Sequence, residues 1–142
     1  MTQQQTHIPA TNSATRRAKS FGEHSRQRQL FALIVAPIIF GALAGPTLKW
    51  SVVAWWTVQV IGVLGAILAG HEHRYGWSAA ARGAVAGLIA AGVVVGIHAV
   101  MTGADVKSFD AVPYLLQAAA ASAVLHLIGA APGRLRRRIE ER

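Results

Sequence analysis

Proton or metal chemistry in this chain would fall to a few histidines and one glutamate set in an apolar sequence. His71, Glu72 and His73 are consecutive, His98 and His126 stand inside apolar runs, and Gln59 and Gln117 add two amides to similar runs. A histidine beside a carboxylate can titrate near neutral pH, and two or three imidazoles with a carboxylate can hold a divalent ion. The spacing opposes a preformed helical metal site, because residues two apart diverge by about 200° on a helix. The pair His71 and His73 would chelate only from an extended backbone. In the competing structural assignment, Glu72 neutralises Arg74 or Arg82 and the histidines are interfacial residues. No metal and no cofactor is assigned.

Helical rise sorts these groups by depth. Gln59 lies about 11 Å, Gln117 about 9 Å and His98 about 5 Å from the outer ends of their helices, so the three can share one outer cluster. His126 lies about 8 Å from the inner end of its helix, at the level where His71, Glu72 and His73 arrive. Gln59, His98, Gln117, His126, Glu72, His71 and His73 therefore form the candidate polar path or cluster. By the same measure His98 and His126 are about 10 Å or more apart along the helices, too far for one haem to bridge. Catalytic patterns are lacking: there is no GxSxG, HExxH, P-loop or dinucleotide fingerprint, and HEHR lacks the second histidine of a zinc motif. The chain has no cysteine, which removes disulfides and thiolate chemistry. No catalytic residue is assigned, and the expectation is a protein that is not an enzyme.

The elements that must carry these residues are apolar helices. With 53% hydrophobic and 14% charged residues in 142, the composition departs from that of a soluble domain. Four stretches are long enough to span a bilayer, at about 30–48, 52–70, 84–101 and 111–131, since about 20 apolar residues cross the hydrocarbon core. The expected fold is all-α, an integral membrane four-helix bundle made of two transmembrane hairpins. A disordered basic tail over 1–29 precedes it and a basic tail over 132–142 follows. The net charge of +8 is placed asymmetrically: of 14 basic residues only Lys49 and Lys107 fall on one side. That is the positive-inside pattern, with both termini and the HEHR loop cytoplasmic. No base-stacking aromatics interleave with the charges, so nucleic acid is not an expected partner.

Local signals refine the spans. Pro37 predicts a kink in the first span and Gly45-Pro46 its end. Lys49, Trp50, Trp55 and Trp56 mark the outer interface, and Tyr75 and Trp77 the inner one. In the second span, Trp55, Gln59, Gly62, Ala66, Gly70 and His73 share a small and polar face that should meet protein rather than lipid. Gly76 predicts a helix stop and Ser78 the cap of the third helix. Gly83 and Gly87 make one small face of the third span, Gly92 and Gly96 another; with Gly62 these are the helix-packing residues. Asp110 is placed to cap the fourth helix, with Pro113 in its first turn. Pro132-Gly133 predicts the end of that helix. Arg134, Arg136, Arg137 and Arg138 then form a juxtamembrane cluster suited to anionic lipid headgroups.

Three other organisations match parts of the sequence. Leu30 to Ala44 has the form of a signal-peptide core and cleavage site, which would leave three spans. Arg16-Arg17 resembles a twin-arginine signal, but AKSF fits it poorly. A shift of 58 residues pairs Gly45 with Gly103, Lys49 with Lys107 and Gln59 with Gln117, a weak trace of duplication.

The alanine, glycine and arginine bias and the GHEH…AARGAVAG loop resemble the small four-span inner-membrane proteins of high-GC bacteria, which implies residence in a bacterial cytoplasmic membrane. Small multidrug-resistance transporters are similar in size and span count but rely on a glutamate in the first span, which has none here. Fluoride channels are also similar in size, without a matching polar track. The leading expectation is a non-enzymatic membrane subunit, self-associating or packed against a larger membrane complex, with lipids and membrane proteins as partners. The alternative is a small channel or transporter for a proton, ion or small solute.

Overall fold

A computed structural model describes residues 21–73, 75–102 and 110–140. Residues 1–20, Arg74, residues 103–109, residues 141–142 and the side chains of Leu48, Arg136, Arg137, Arg138 and Glu140 lie outside the described residues.

The described chain is all-helical. Helix α1 is built from three consecutive segments, Arg26–Leu30, Phe31–Val35 and Ala36–Trp50; helix α2 is Val52–His71, α3 is Gly76–Thr102 and α4 is Ala111–Glu140. All four are long and apolar enough to cross a membrane. A short 3₁₀ turn, Phe21–Glu23, precedes α1 within the stretch assigned to a tail. Ser25 starts α1, its Oγ accepting from Arg28 N at 3.4 Å, and Ser51 starts α2, its Oγ accepting from Ala54 N at 3.2 Å.

Prolines do not stop these helices. The middle segment of α1, Phe31–Val35, is a π turn, and Ala36 N donates back to Phe31 O. The wide turn lies directly before Pro37, whose ring would otherwise press on the carbonyl four residues earlier. Pro46 does not end α1, which continues to Trp50, and Thr47 Oγ1 donates to Ala44 O at 2.8 Å. Pro132 likewise lies inside α4, where Arg134 Nη2 donates to Leu127 O at 3.3 Å, one residue from the carbonyl the proline leaves without its donor. Gly76 is also not a stop: it opens α3, while α2 closes at His71 with Glu72 as its cap. Ser78 therefore lies within the first turn of α3, its Oγ donating to Tyr75 O at 2.8 Å.

The bundle is ordered by close backbone contacts. Helix α3 packs most extensively on α4, α1 packs on α3, and α2 on α4; α2 and α3, although consecutive, hardly touch and sit across the bundle from one another. A Cβ on Gly83 would lie 2.6 Å from Ser122 O, and one on Gly87 2.5 Å from Ala118 O, so only glycine permits the α3–α4 spacing. At the α2–α4 crossing, a Cβ on Gly70 would meet the His126 carbonyl oxygen and one on Gly129 would meet that of Ile67. The buried apolar residues are accordingly small, Ala44, Ala79, Ala91, Val94 and Ala130, while Leu43, Ile61, Leu64, Leu68 and Val100 point outward. Small residues inside and large apolar residues outside is the inverse of a soluble core, and it suits helices whose outer solvent is hydrocarbon. The expected face of α2 is as read: Gly70 and His73 are buried, and Gln59, Gly62 and Ala66 are half-buried.

Candidate functional site: a cavity between the helices and the polar cluster at its end

Because α2 and α3 stand apart, the bundle encloses a cavity of about 540 Å³ with walls from all four helices. Its lining is mostly alanine, glycine and aliphatic carbon. Residues this small cannot fill the space between diagonal helices. Five polar residues interrupt the lining: Gln59, Arg82, Tyr114, Ser122 and His126. Ile61, Val63, Gly65 and Ala121 line the cavity and are also exposed, so it opens at the flank of the bundle.

Arg82 dominates one end. It lies six residues into α3, about 9 Å along the helix, and is only 8% exposed. Its Nη1 donates to Glu72 Oε2 at 3.3 Å, to His73 Nε2 at 3.2 Å and to Ala69 O at 3.4 Å. Its guanidinium carbon lies 4.0 Å from the centre of the Phe21 ring, a cation–π contact. Glu72 is shared, since its Oε1 also accepts from Arg28 Nη2 at 3.4 Å. Phe21 N donates to Glu72 O at 2.7 Å, and the Phe21 ring lies 5.0 Å from that of His73. The 3₁₀ turn before α1 is thus fastened across the end of the cavity.

Hydrogen-bond logic fixes the state of His73. A guanidinium can only donate, so His73 Nε2 must accept, and the ring proton sits on Nδ1. Nδ1 then donates to Ser78 Oγ at 3.2 Å, and Ser78 Oγ donates in turn to Tyr75 O. Burial, followed by the neighbouring Arg82 and His126, lowers the His73 pKa from 6.5 to about 4, with Glu72 opposing. His73 is neutral at pH 7, so Arg28, Arg82 and Glu72 leave the cluster with one excess positive charge. His126, 4% exposed, donates from Nδ1 to Ser122 O at 2.8 Å.

The seven candidate polar residues separate into groups. Gln59 and His126 do line one cavity. Glu72 and His73 join it through Arg82, so Glu72 does neutralise Arg82, as the structural assignment required. His71 and Gln117 are exposed and His98 is half-buried outside the cavity lining, so of Gln59, His98 and Gln117 only Gln59 lines the cavity. Gln117 and His126, nine residues apart, point to opposite sides of α4. Among the described residues no group of three histidine or acidic side chains could hold a metal, and the lone pair of His73 Nε2 is engaged by a cation. Of the helix-packing glycines, Gly62 meets the Phe40 ring and Gly83 and Gly87 meet α4, whereas Gly92 and Gly96 have nothing within 4 Å. Arg134, the one described side chain of the basic cluster, is exposed.

The sequence alone does not mark Arg82 and Phe21. Arg82 precedes the apolar run at 84–101 and so reads as a loop charge, whereas α3 begins at Gly76. Phe21 is a single apolar residue in a polar stretch, with no periodicity to mark it. No protein-family model, curated protein or solved structure matches this chain.

Proposed function

We propose that this chain is a non-enzymatic, multi-pass protein of a bacterial cytoplasmic membrane, with both termini inside, that takes a small, largely apolar molecule into the space between its helices. One observation carries the reading: a 540 Å³ cavity with polar groups confined to a few positions. Sites for single small molecules commonly enclose about 300–1,000 Å³, with apolar walls and a few placed polar groups. The apolar lining favours such a molecule over the proton, ion or small-solute path expected from Gln59, His98, Gln117, His126 and Glu72. Native mass spectrometry of protein extracted in mild detergent tests it. Non-protein mass should be retained by the wild type and lost from Gly65→Phe, a substitution into open space at the cavity wall. Equal occupancy in both proteins refutes the reading.

A second reading, a self-associating or accessory membrane subunit, is supported by the open space over Gly92 and Gly96 on the outward side of α3. Small residues there let another helix approach closely. Gly92→Leu should then convert an oligomer to monomer in size-exclusion chromatography with light scattering. A wild type that is already monomeric in native lipid removes this reading.

A further inference from the structure

We infer that two copies of this chain pair in the membrane through the outward face of α4, the amide of Gln117 in one copy hydrogen-bonded to that of Gln117 in the other. The pairing rests on the membrane placement proposed above and uses neither the cavity nor the glycines of α3.

Depth sets the problem. The close approaches of Gly83 to Ser122 and of Gly87 to Ala118 run α3 and α4 antiparallel, in a register that puts Gln117 level with Leu88. Leu88 is twelve residues from Gly76 and thirteen from Met101, the ends of its apolar span, so about 18 and 20 Å of helix lie on either side. Counted along α4 alone, Gln117 is six residues, about 9 Å, from Ala111. By either count its amide lies within the hydrocarbon layer. Gln117 is exposed and, among the described residues, has no hydrogen-bond partner. No water is there to bond it, and polar side chains in such segments bond across helices instead. The exposed residues around it, Pro113, Ala120, Ala121 and Val124, carry no side-chain donor or acceptor.

Symmetry names the occupant. Two copies inserted in the same orientation are related by a two-fold axis along the membrane normal, which sets a residue of α4 opposite the same residue at the same depth. A carboxamide both donates and accepts, so it is complementary to a second copy of itself; a lipid chain offers it nothing. Pro113, Gln117, Ala120 and Val124 follow one another at four, three and four residues, the spacing of a seam between two parallel helices, and all four are exposed. Ala120 and Ala121, one turn beyond Gln117, hold no bulk that would keep the second backbone away. Gln117 lies about 120° around α4 from the side that Ala118 and Ser122 turn to α3. Pairing there leaves the bundle intact and the face of Gly92 and Gly96 free for another helix.

The chain has no cysteine, so single cysteines report contacts between copies. Val124→Cys lies on the seam and Val85→Cys on the outward side of α3, at positions 52% and 43% exposed. Membranes containing each full-length variant are washed with alkaline carbonate and oxidised with copper phenanthroline. The expected result is retention in the membrane, a disulfide-linked dimer from Val124→Cys and little from Val85→Cys. In the Val124→Cys background, Gln117→Leu should weaken pairing about three- to twentyfold over a lipid-dilution series, and Gln117→Asn should retain it. Release by carbonate overturns the membrane placement itself. With the protein retained, the pairing is overturned by cross-linking through Val85→Cys alone, by equal yields from the two positions, by no dimer from either, or by a Val124→Cys adduct with a different protein. A Val124→Cys dimer that Gln117→Leu leaves unchanged overturns the amide contact. The comparison of the two cysteine positions stands even if Gln117→Leu fails to fold.

Discussion

The two ends of the bundle are held in different ways. At the Glu72 end, backbone contacts at Gly70 and Gly129 bring α2 onto α4, and Phe21, Glu72, His73, Ser78 and Arg82 form a continuous hydrogen-bonded and stacked group. At the other end, Gly45 of α1 packs against Ile97 of α3, Lys49 Nζ donates to Met101 O at 3.1 Å, and α3 presents Gly92 and Gly96 to open space. One end is closed by a buried polar group whose members depend on one another; among the described residues the other is held by apolar packing and a hydrogen bond on the surface. Substitutions of the same kind should therefore have unequal effects at the two ends.

The largest effect is expected from Glu72→Gln, which leaves the Arg82 guanidinium buried without a counter-charge. Removing one partner of a buried pair costs about 3–5 kcal/mol, and the partial exposure of Glu72 puts this case near the lower figure. Thermal unfolding in detergent should show it, and Lys49→Gln at the opposite end should leave the midpoint nearly unchanged. If the two variants melt alike, the ends are not distinct.

Gly129→Ala comes next, since its methyl group must displace the Ile67 carbonyl; overpacking of this kind costs about 1–3 kcal/mol. The readout is again the unfolding midpoint, now against Gly65→Ala, where the added methyl meets nothing. Acid should act in the same range. His73 binds fewer protons folded, with a pKa of about 4, than unfolded at 6.5. Stability from this group is complete above about pH 6.5 and falls as pH drops through the window down to about 4. His73→Gln should flatten that part of the profile, and a profile equally steep in the variant would show that another group titrates. The smallest effect has the opposite sign. Gly92→Ala should stabilise the isolated bundle by about 0.5–1 kcal/mol, because alanine is the better helix former and has room.

What the sequence made legible was what depends on each helix alone. Four apolar runs of sufficient length gave four helices, and the small and polar stripe of α2 predicted its inner face. The assignments that failed depend on a second element. Pro46, Gly76 and Pro132 read as stops, but neighbouring donors or packing at each point let the helix continue or begin there. Arg82 reads as a surface charge until Glu72, His73 and Phe21 are brought around it, and none of the three is within helical reach in the sequence. The cavity arises from α2 and α3 lying across a diagonal, and periodicity along one helix carries no information about which helices become neighbours.

The π turn in α1 couples two distant parts of the molecule. It lies between Phe21, seated over Arg82, and Pro37, which lines the cavity. A helix that gave up this extra residue for regular α geometry would rotate everything before it by about 100° about the axis. Such a rotation would carry the aromatic ring away from the guanidinium while leaving Ala36–Trp50 in place. The wide turn acts as a phase adjuster: it sets the angle at which the beginning of the chain meets the bundle, and only one setting closes the cluster.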